Sequence, residues 1–497
     1  MDTKNNIIQM KKIFYLIILT MIISSCKKFL DVQPESQVDK NQLFNTEDGF
    51  KEALNGVYTL CSSGSLYGEN LTFGDLEVKA QNYDFIDFSY QNIANFAYTD
   101  LSYISRNDRV WTAAYQAIVN CNYILEAIDS KKDLFTGNNY EIIKGETLTL
   151  RAYLHFDLLR IYAPSFISKP NAKAIPYVTE VKIKSTPFST VTEVLDKVII
   201  DLNAAKILLK KGDPILSNAY VVGYPSTIGV TETTTNDLFL QNRRMRMNYY
   251  STCGELARVY LYKNEFALSL SNALEVINSN KFPFTKEVDF VATDITKKDR
   301  IFYPELISSW AIPNQAKRLE ALFANSNPTF SATTSRIEDV FEKNRVGGYD
   351  WRLAQWFLKG TLTSGGAERS FLQKYITNTA PIANLHPLVA PAIRLSEMYY
   401  IAAEAGYDVN PTAAVGYFNT FRHKRGIPDN VVVTDKASLI ELLILDARKE
   451  FYGESQFFYM LKRLNHTIRI SPTQFKPGTD AIFVSPIPDD ELAYRNN

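Results

Sequence analysis

The sequence predicts a mostly α-helical fold, a scaffold of stacked helix pairs carrying long inserted loops and short strands. Three observations lead there. Apolar residues recur at three- and four-residue steps in stretch after stretch, the mark of helices with one buried face. Those stretches come in pairs, and a lone pair would leave an apolar face in water, so the pairs must stack. The segments between them, 163–189, 221–242 and 303–366, are rich in Thr, Ser, Asn, Gly and Pro and read as long loops with short strands.

The chain opens on an address rather than a fold element. Lys11 and Lys12 precede an apolar run from Ile13 to Ile23, followed by Ser24, Ser25 and Cys26. As a helix that run is about 16 Å long, too short to span a bilayer but suited to a signal-peptide core. Residues 1–25 are expected to be a lipoprotein signal, cut before Cys26, whose thiol would carry the lipid. Its removal takes away three lysines and one aspartate, so the formal charge moves from 0 to −2. Such a surface lacks the basic field that nucleic-acid binding needs, and no nucleic-acid partner is expected.

The helices follow in order. Arg109 to Ile128 sets Trp111, Ala114, Tyr115, Ile118, Asn122 and Leu125 on one stripe, and Glu141 to Tyr162 repeats this with Leu148, Ala152, Phe156 and Leu159 before Pro164. Thr192 to Leu209 is amphipathic and ends before Gly212-Asp213-Pro214. Tyr249 to Leu261 and Glu265 to Ile277 form a close pair, whose Ala257, Tyr260, Phe266, Ala267 and Ala273 have the small-and-aromatic spacing of a tetratricopeptide-like repeat. Ile393 to Ala405 and Pro411 to Lys424 form another pair, and Ser438 to Leu464 reads as one last helix. Cys61, Cys121 and Cys253 show neither metal spacing nor a disulfide framework, and read as small apolar core residues.

Several segments carry a resemblance. The stretch Cys26 to Leu60 resembles the opening of SusD/RagB-type outer-membrane lipoproteins: a lipid cysteine, Phe29-Leu30-Asp31, a proline, then a helix ending in Asn55-Gly56-Val57-Tyr58. Further matches run in order: Trp111, Tyr115, Ile118 and Asn122; Glu146 with Leu150-Arg151-Ala152; Ile175-Pro176; LARVYLY; and Arg394 to Ala405. Phe418-Asn419 with Arg422, Arg425-Gly426-Ile427, Arg448-x-Glu450-Phe451 with Glu454, Lys462-Arg463 and Ile487-Pro488 with Glu491 complete them. Two local departures are Ala447-Arg448-Lys449 and Phe458-Tyr459-Met460. The resemblance implies a single SusD-like domain over 26–497, with an N-terminal part of about 26–240 and a C-terminal part of about 241–497. It also implies a lipid-anchored receptor on the outer membrane, facing the exterior. The receptor would bind an oligosaccharide nutrient and deliver it to a SusC-like TonB-dependent barrel transporter. A peptide-binding receptor of the same architecture, feeding a RagA-like transporter, is the alternative. No cofactor is implied.

Aromatic content suits a sugar ligand. The run Tyr83 to Tyr98 mixes flat rings with Asp, Asn and Gln; pyranose faces stack on rings, and hydroxyls need fixed donors and acceptors. Tyr83, Tyr90, Asn92, Phe96, Tyr98, Trp310 and Trp351 are the expected ligand contacts, although rings in such loops also serve to pack them against the scaffold. Trp111 and Trp356 read as core. No catalytic constellation emerges, so an enzyme is not expected. His155, His386, His423 and His466 are scattered without metal-ligand spacing, and Gly64-Ser65-Leu66-Tyr67-Gly68 puts its serine one place too early for a nucleophile elbow. Glu397, Glu404, Arg448, Glu450 and Glu454 are expected to form ion pairs and caps between helices.

Overall fold

The scaffold is a file of helices, each packed against the next in chain order. These are α1 (Glu47–Cys61), α2 (Leu101–Ile128), α3 (Asn139–Tyr162), α4 (Val191–Gly212), α5 (Tyr249–Tyr262), α6 (Phe266–Asn278), α7 (Leu395–Gly406) and α8 (Pro411–His423), followed by α9 (Lys436–Glu450) against α7 and then α10 (Gln456–Arg463). The computed structural model describes residues 40–495 apart from 86, 325 and 326, so Cys26 and the expected signal lie outside the described residues. The chain divides into a segment ending at Asn45 and a body from Thr46 to Asn497, which holds the scaffold and the site. Among the described residues no helix is long and apolar enough to cross a membrane.

Local chemistry starts most of these helices. Side-chain oxygens of Thr46, Asp100, Asn248, Asn410 and Asp435 accept the free N–H groups of the first turn, and Thr190 forms a reciprocal capping box with Glu193. Central helices lack a polar face altogether. Nearly every residue of α3 and all of α5 are buried, because neighbours cover them on all sides. Most of their polar groups are therefore paired internally: Arg151 donates to both carboxylate oxygens of Asp201 at 2.8 and 2.7 Å, and His155 stacks on Tyr177 at 3.9 Å while its Nε2 accepts from the Val178 N–H. Cys61, Cys121 and Cys253 are buried free thiols, as their spacing suggested.

Among the described residues, the inserts between α6 and α7 carry half of the strands. β4 (Leu306–Ala311) pairs antiparallel with β8 (Val389–Arg394), setting Trp310 opposite Ala390. A four-stranded sheet has the order β1 (Asp84–Phe85), β5 (Phe330–Thr333), β7 (Arg369–Leu372), β6 (Phe357–Gly360), so the aromatic run after α1 is stitched into inserts far along the chain. β2 (Lys173–Pro176) and β3 (Phe188–Thr190) pair ahead of α4.

Three expected boundaries are corrected. α2 starts at Leu101, ahead of Arg109, because the Asp100 cap extends the helix through turns whose apolar pattern is weak; Leu101 itself is exposed. Ile393 and Arg394 belong to strand β8, not to the helix after it. The long helix Ser438 to Leu464 is two helices, α9 and α10. Between them Gly453 and Ser455 adopt left-handed conformations (φ +76° and +63°), and the fully buried carboxylate of Glu77 accepts their N–H groups at 2.9 and 2.6 Å. A partner more than 370 residues away therefore decides where this helix breaks.

The C-terminal carboxylates expected to pair between helices do so in part, and otherwise pair with loop and strand residues. Glu450 accepts from Arg352, Arg394 and Arg425 at 2.5 to 3.0 Å, and Glu305 holds the other edge of Arg425 at 2.6 and 2.9 Å. Glu454 joins Arg394 and Lys374; Glu397 pairs with Arg258 and Glu404 with Arg463. Three guanidiniums hold the Glu450 carboxyl well below its ordinary range despite burial that pushes the other way. Arg448 departs from the expectation: it donates to Asn82 Oδ1 and to the carbonyls of Gln81 and Arg469, and burial lowers it to about 10.

Candidate ligand-binding site

A cleft of about 650 Å³ opens where α1 meets two loops. Helical spacing builds the first wall. Phe50, Leu54, Val57 and Cys61 face the core, which leaves Asn55, Tyr58, Thr59 and Ser62 at three- and four-residue steps on the opposite side, toward the cleft. The end of the 221–242 segment and the turn after it bring Gln241, Asn242 and Arg246, and the turn after β4 brings Asn314 and Gln315. Amides and hydroxyls supply its polar groups, and Tyr58, Leu238, Met245, Ala311, Ile312 and Pro313 supply a larger apolar surface beside them. Among the described residues no aspartate or glutamate lines it.

The floor is anchored by one buried acid. Glu146 on α3, fully buried, accepts from Tyr58 Oη at 2.7 Å, from Arg246 Nε at 2.9 Å and from Arg243, whose guanidinium also grips Asp213 at 2.9 and 3.1 Å. Burial alone would raise Glu146, but the two guanidiniums outweigh it and hold the carboxyl below its usual range. Tyr58 Oη also accepts the Met247 N–H at 2.7 Å, tying α1 to the loop. Arg246 lies 4.7 Å from the ring centres of both Tyr58 and Phe239 and donates Nη1 to Asn55 Oδ1 at 2.9 Å. Its Nη2 is buried and meets no acceptor.

Other cavities fit an oligomeric ligand less well. One of about 70 Å³, inside the helix file among Arg160, Arg258, Glu397 and Arg463, has room for only a few waters. A groove of about 380 Å³ beside Trp111 and Tyr115 carries charges of both signs, including Glu180, Lys182, Glu491 and Arg495.

Of the rings expected to contact ligand, Tyr83, Tyr90, Phe96 and Trp310 are buried in this structure, whereas Tyr98 and Trp351 are half-buried. Tyr83, 1 % exposed, stacks on Phe330 at 4.7 Å, and Tyr90, 2 % exposed, meets the same ring edge-on at 4.7 Å. Phe96 is buried against Tyr98, which in turn lies 4.8 Å from Tyr103 and donates to the Ile482 carbonyl. Asn92 gives its amide to Asp100 at 2.9 Å. Trp310, 1 % exposed, stacks on Tyr67 at 4.5 Å. Strand pleating explains Trp310: successive side chains point to opposite sides, so it turns inward and the exposed Ala311 lines the cleft. Trp351 is half-buried, its backbone N–H bonded to the Arg425 carbonyl; Gly426 (φ +86°) makes room for its ring, since a β-carbon there would come within 2.3 Å of Nε1. These residues therefore form separate packing clusters rather than one site. The cleft residues were missed because amides in loops carry no periodic signal, although Asn55 and Tyr58 sit inside the Asn-Gly-x-Tyr segment noted above.

Comparison with known proteins places this architecture. Residues 28–214 match a family described as "Starch-binding associating with outer membrane", and residues 311–492 match the SusD family. The chain belongs to the SusD/RagB family. A SusD-like protein, P38, from Formosa agariphila is 21 % identical, with 92 % of each chain covered. Among solved structures, a SusD superfamily protein from Bacteroides vulgatus aligns at a TM-score of 0.70 and 21 % identity, covering 91 % of this chain and 98 % of that one. Another from Bacteroides thetaiotaomicron aligns at 0.69 and 20 %, covering 90 % and 98 %. A third, titled a SusD-like carbohydrate binding protein and also from B. vulgatus, aligns at 0.68 and 19 %, covering 91 % and 97 %. The SusD fold, mostly α and resembling stacked tetratricopeptide pairs, is thus shared.

Proposed function

We propose that this SusD-family protein is a receptor that binds an oligosaccharide in the α1 cleft and passes it to a SusC-like TonB-dependent transporter in the outer membrane, to which Cys26 anchors it through lipid. One observation carries the reading: a cleft of about 650 Å³ in which amides and hydroxyls stand among apolar side chains on a helix and two loops. Amides offer both donors and acceptors at fixed positions, which is what sugar hydroxyls need. Family membership and the carbohydrate-binding relative support the same class of ligand. The cleft is read as a binding site rather than a catalytic one, because hydrolysis of a glycosidic bond ordinarily needs two carboxyl groups and its lining offers none.

Titration of the purified protein against an oligosaccharide array tests the reading. Bound sugars should keep their length, and alanine at Asn314 and Gln315 should weaken binding. Binding that ignores these changes would move the site elsewhere. Replacing Cys26 with alanine should release the protein from the membrane fraction; persistence there without its transporter would overturn the lipid anchor.

A further inference from the structure

The cleft sets two kinds of open surface side by side, and neither is a flat ring. Among the described residues, the side-chain amides of Asn242, Asn314 and Gln315 make no hydrogen bond within the protein. Asn55 spends only its Oδ1, on Arg246, and Gln241 only its Nε2, on the Thr235 carbonyl. Beside these amides stand aliphatic groups: Leu238 is 78 % exposed, Ala311 and Pro313 are exposed and Met245 is half-buried. Tyr58, the one aromatic side chain in the described lining, is already covered, with Arg246 4.7 Å from its ring centre and Trp310 packed against it at 6.3 Å. A bare pyranose buries its apolar face best on a flat ring, and that partner is occupied here. Aliphatic patches set among carboxamides suit a substituent that is apolar and amide at once. An acetamido group is such a substituent: its methyl meets Leu238 and Met245, and its N–H and C=O meet a side-chain amide that both accepts and donates.

We infer that the cleft selects saccharides carrying acetamido groups, with the methyl on the aliphatic patch and the amide bonded to the open carboxamides. This rests on the cleft being the saccharide site and adds the chemical class of the sugar. A peptide also carries amides and aliphatic groups, but an extended peptide is commonly met by a free strand edge. This lining comes from α1 and short turns, and its one strand residue, Ala311, is already paired with Val389. A free-amine sugar fits least, because among the described residues the lining has no carboxylate to meet an ammonium and its formal charge is that of Arg246.

The test uses oligosaccharides of gluco, galacto and manno configuration, each in N-acetyl, free-amine, 2-hydroxyl and O-acetyl form, together with peptides of similar length. The intact protein should bind the acetamido form of one configuration about tenfold more tightly than its hydroxyl counterpart, the gain expected from one buried methyl and one further hydrogen bond. That preference should barely change with salt, since no ion pair carries it. Leu238→Ser and Met245→Ser should each cut it to about threefold or less; thermal melts accompany both, and the exposure of Leu238 keeps its loss out of the core. Asn314→Asp, which keeps the shape but adds a carboxylate, should weaken the acetamido form and strengthen the free-amine form. Hydroxyl or O-acetyl forms bound as tightly as the acetamido form, or an acetamido preference unmoved by all three variants, overturns the inference while leaving the saccharide site standing. Peptides bound with no saccharide bound, or no binding to any member of the array, overturns both.

Discussion

The aromatic insert and the polar cleft use opposite chemistry. In the insert Tyr83, Tyr90, Phe323 and Phe330 meet at 4.7 to 6.1 Å and exclude water; in the cleft, amides and hydroxyls stay within reach of it. A loop that must hold its shape without long helices needs its own small core, and large flat rings bury the most surface per residue. A site that must accept a hydroxyl-rich chain needs donors and acceptors left available. Rings concentrated in an insert therefore mark where it is stabilised, and the polar residues at its edge mark where it can bind.

The largest expected effect tests whether the rings are structural. Trp310→Ala should cost about 3 to 5 kcal/mol of folding stability, read by denaturant unfolding, since it removes a buried ring stacked on Tyr67 and edge-on to Tyr153. A melting temperature close to that of the unaltered protein, with affinity lost, would reverse the assignment of roles. Glu450→Ala should be of similar size, because it takes one carboxylate from each of three buried guanidiniums and leaves the cluster with excess positive charge.

A middle-sized effect concerns pH and belongs to the scaffold alone. Burial raises Glu255 from 4.5 to about 7 and Glu77 to about 6, and Glu255 Oε1 has no partner. Between pH 4.5 and 7 the folded state keeps protons that the unfolded chain has released. These two groups therefore lower stability as pH rises through that window. Melting temperatures measured from pH 5 to 8 should fall more steeply in the unaltered protein than in Glu255→Gln. Identical slopes would remove Glu255 as a cause.

The smallest effect on folding should come from the cleft. Asn314→Ala should change stability by no more than about 0.5 kcal/mol while weakening saccharide binding by about 0.5 to 1.5 kcal/mol, measured by calorimetric titration. A large stability loss there would erase the contrast between the two regions.

Much of the architecture was legible because it rests on local rules. Helical periodicity marked α2 to α6 to within a turn or two at each C-terminal end, and the paired arrangement required stacking whatever the details. Thr190 and Asn248 cap helix starts through short-range hydrogen bonds close to where the periodicity begins, whereas the Asp100 cap lies two turns ahead of it. Other features depend on residues distant in the chain. The α9–α10 break is set by Glu77, the inward turn of Trp310 by pairing with Ala390, and the placement of Tyr83 and Tyr90 by Phe330. By itself, then, the sequence determined that the chain forms stacked amphipathic helices with aromatic-rich inserts, because period and capping act over a few residues. Only the tertiary structure decided which rings are closed and which amides stand open around Arg246, because exposure is a property of what packs against a residue, and that partner can lie anywhere in the chain.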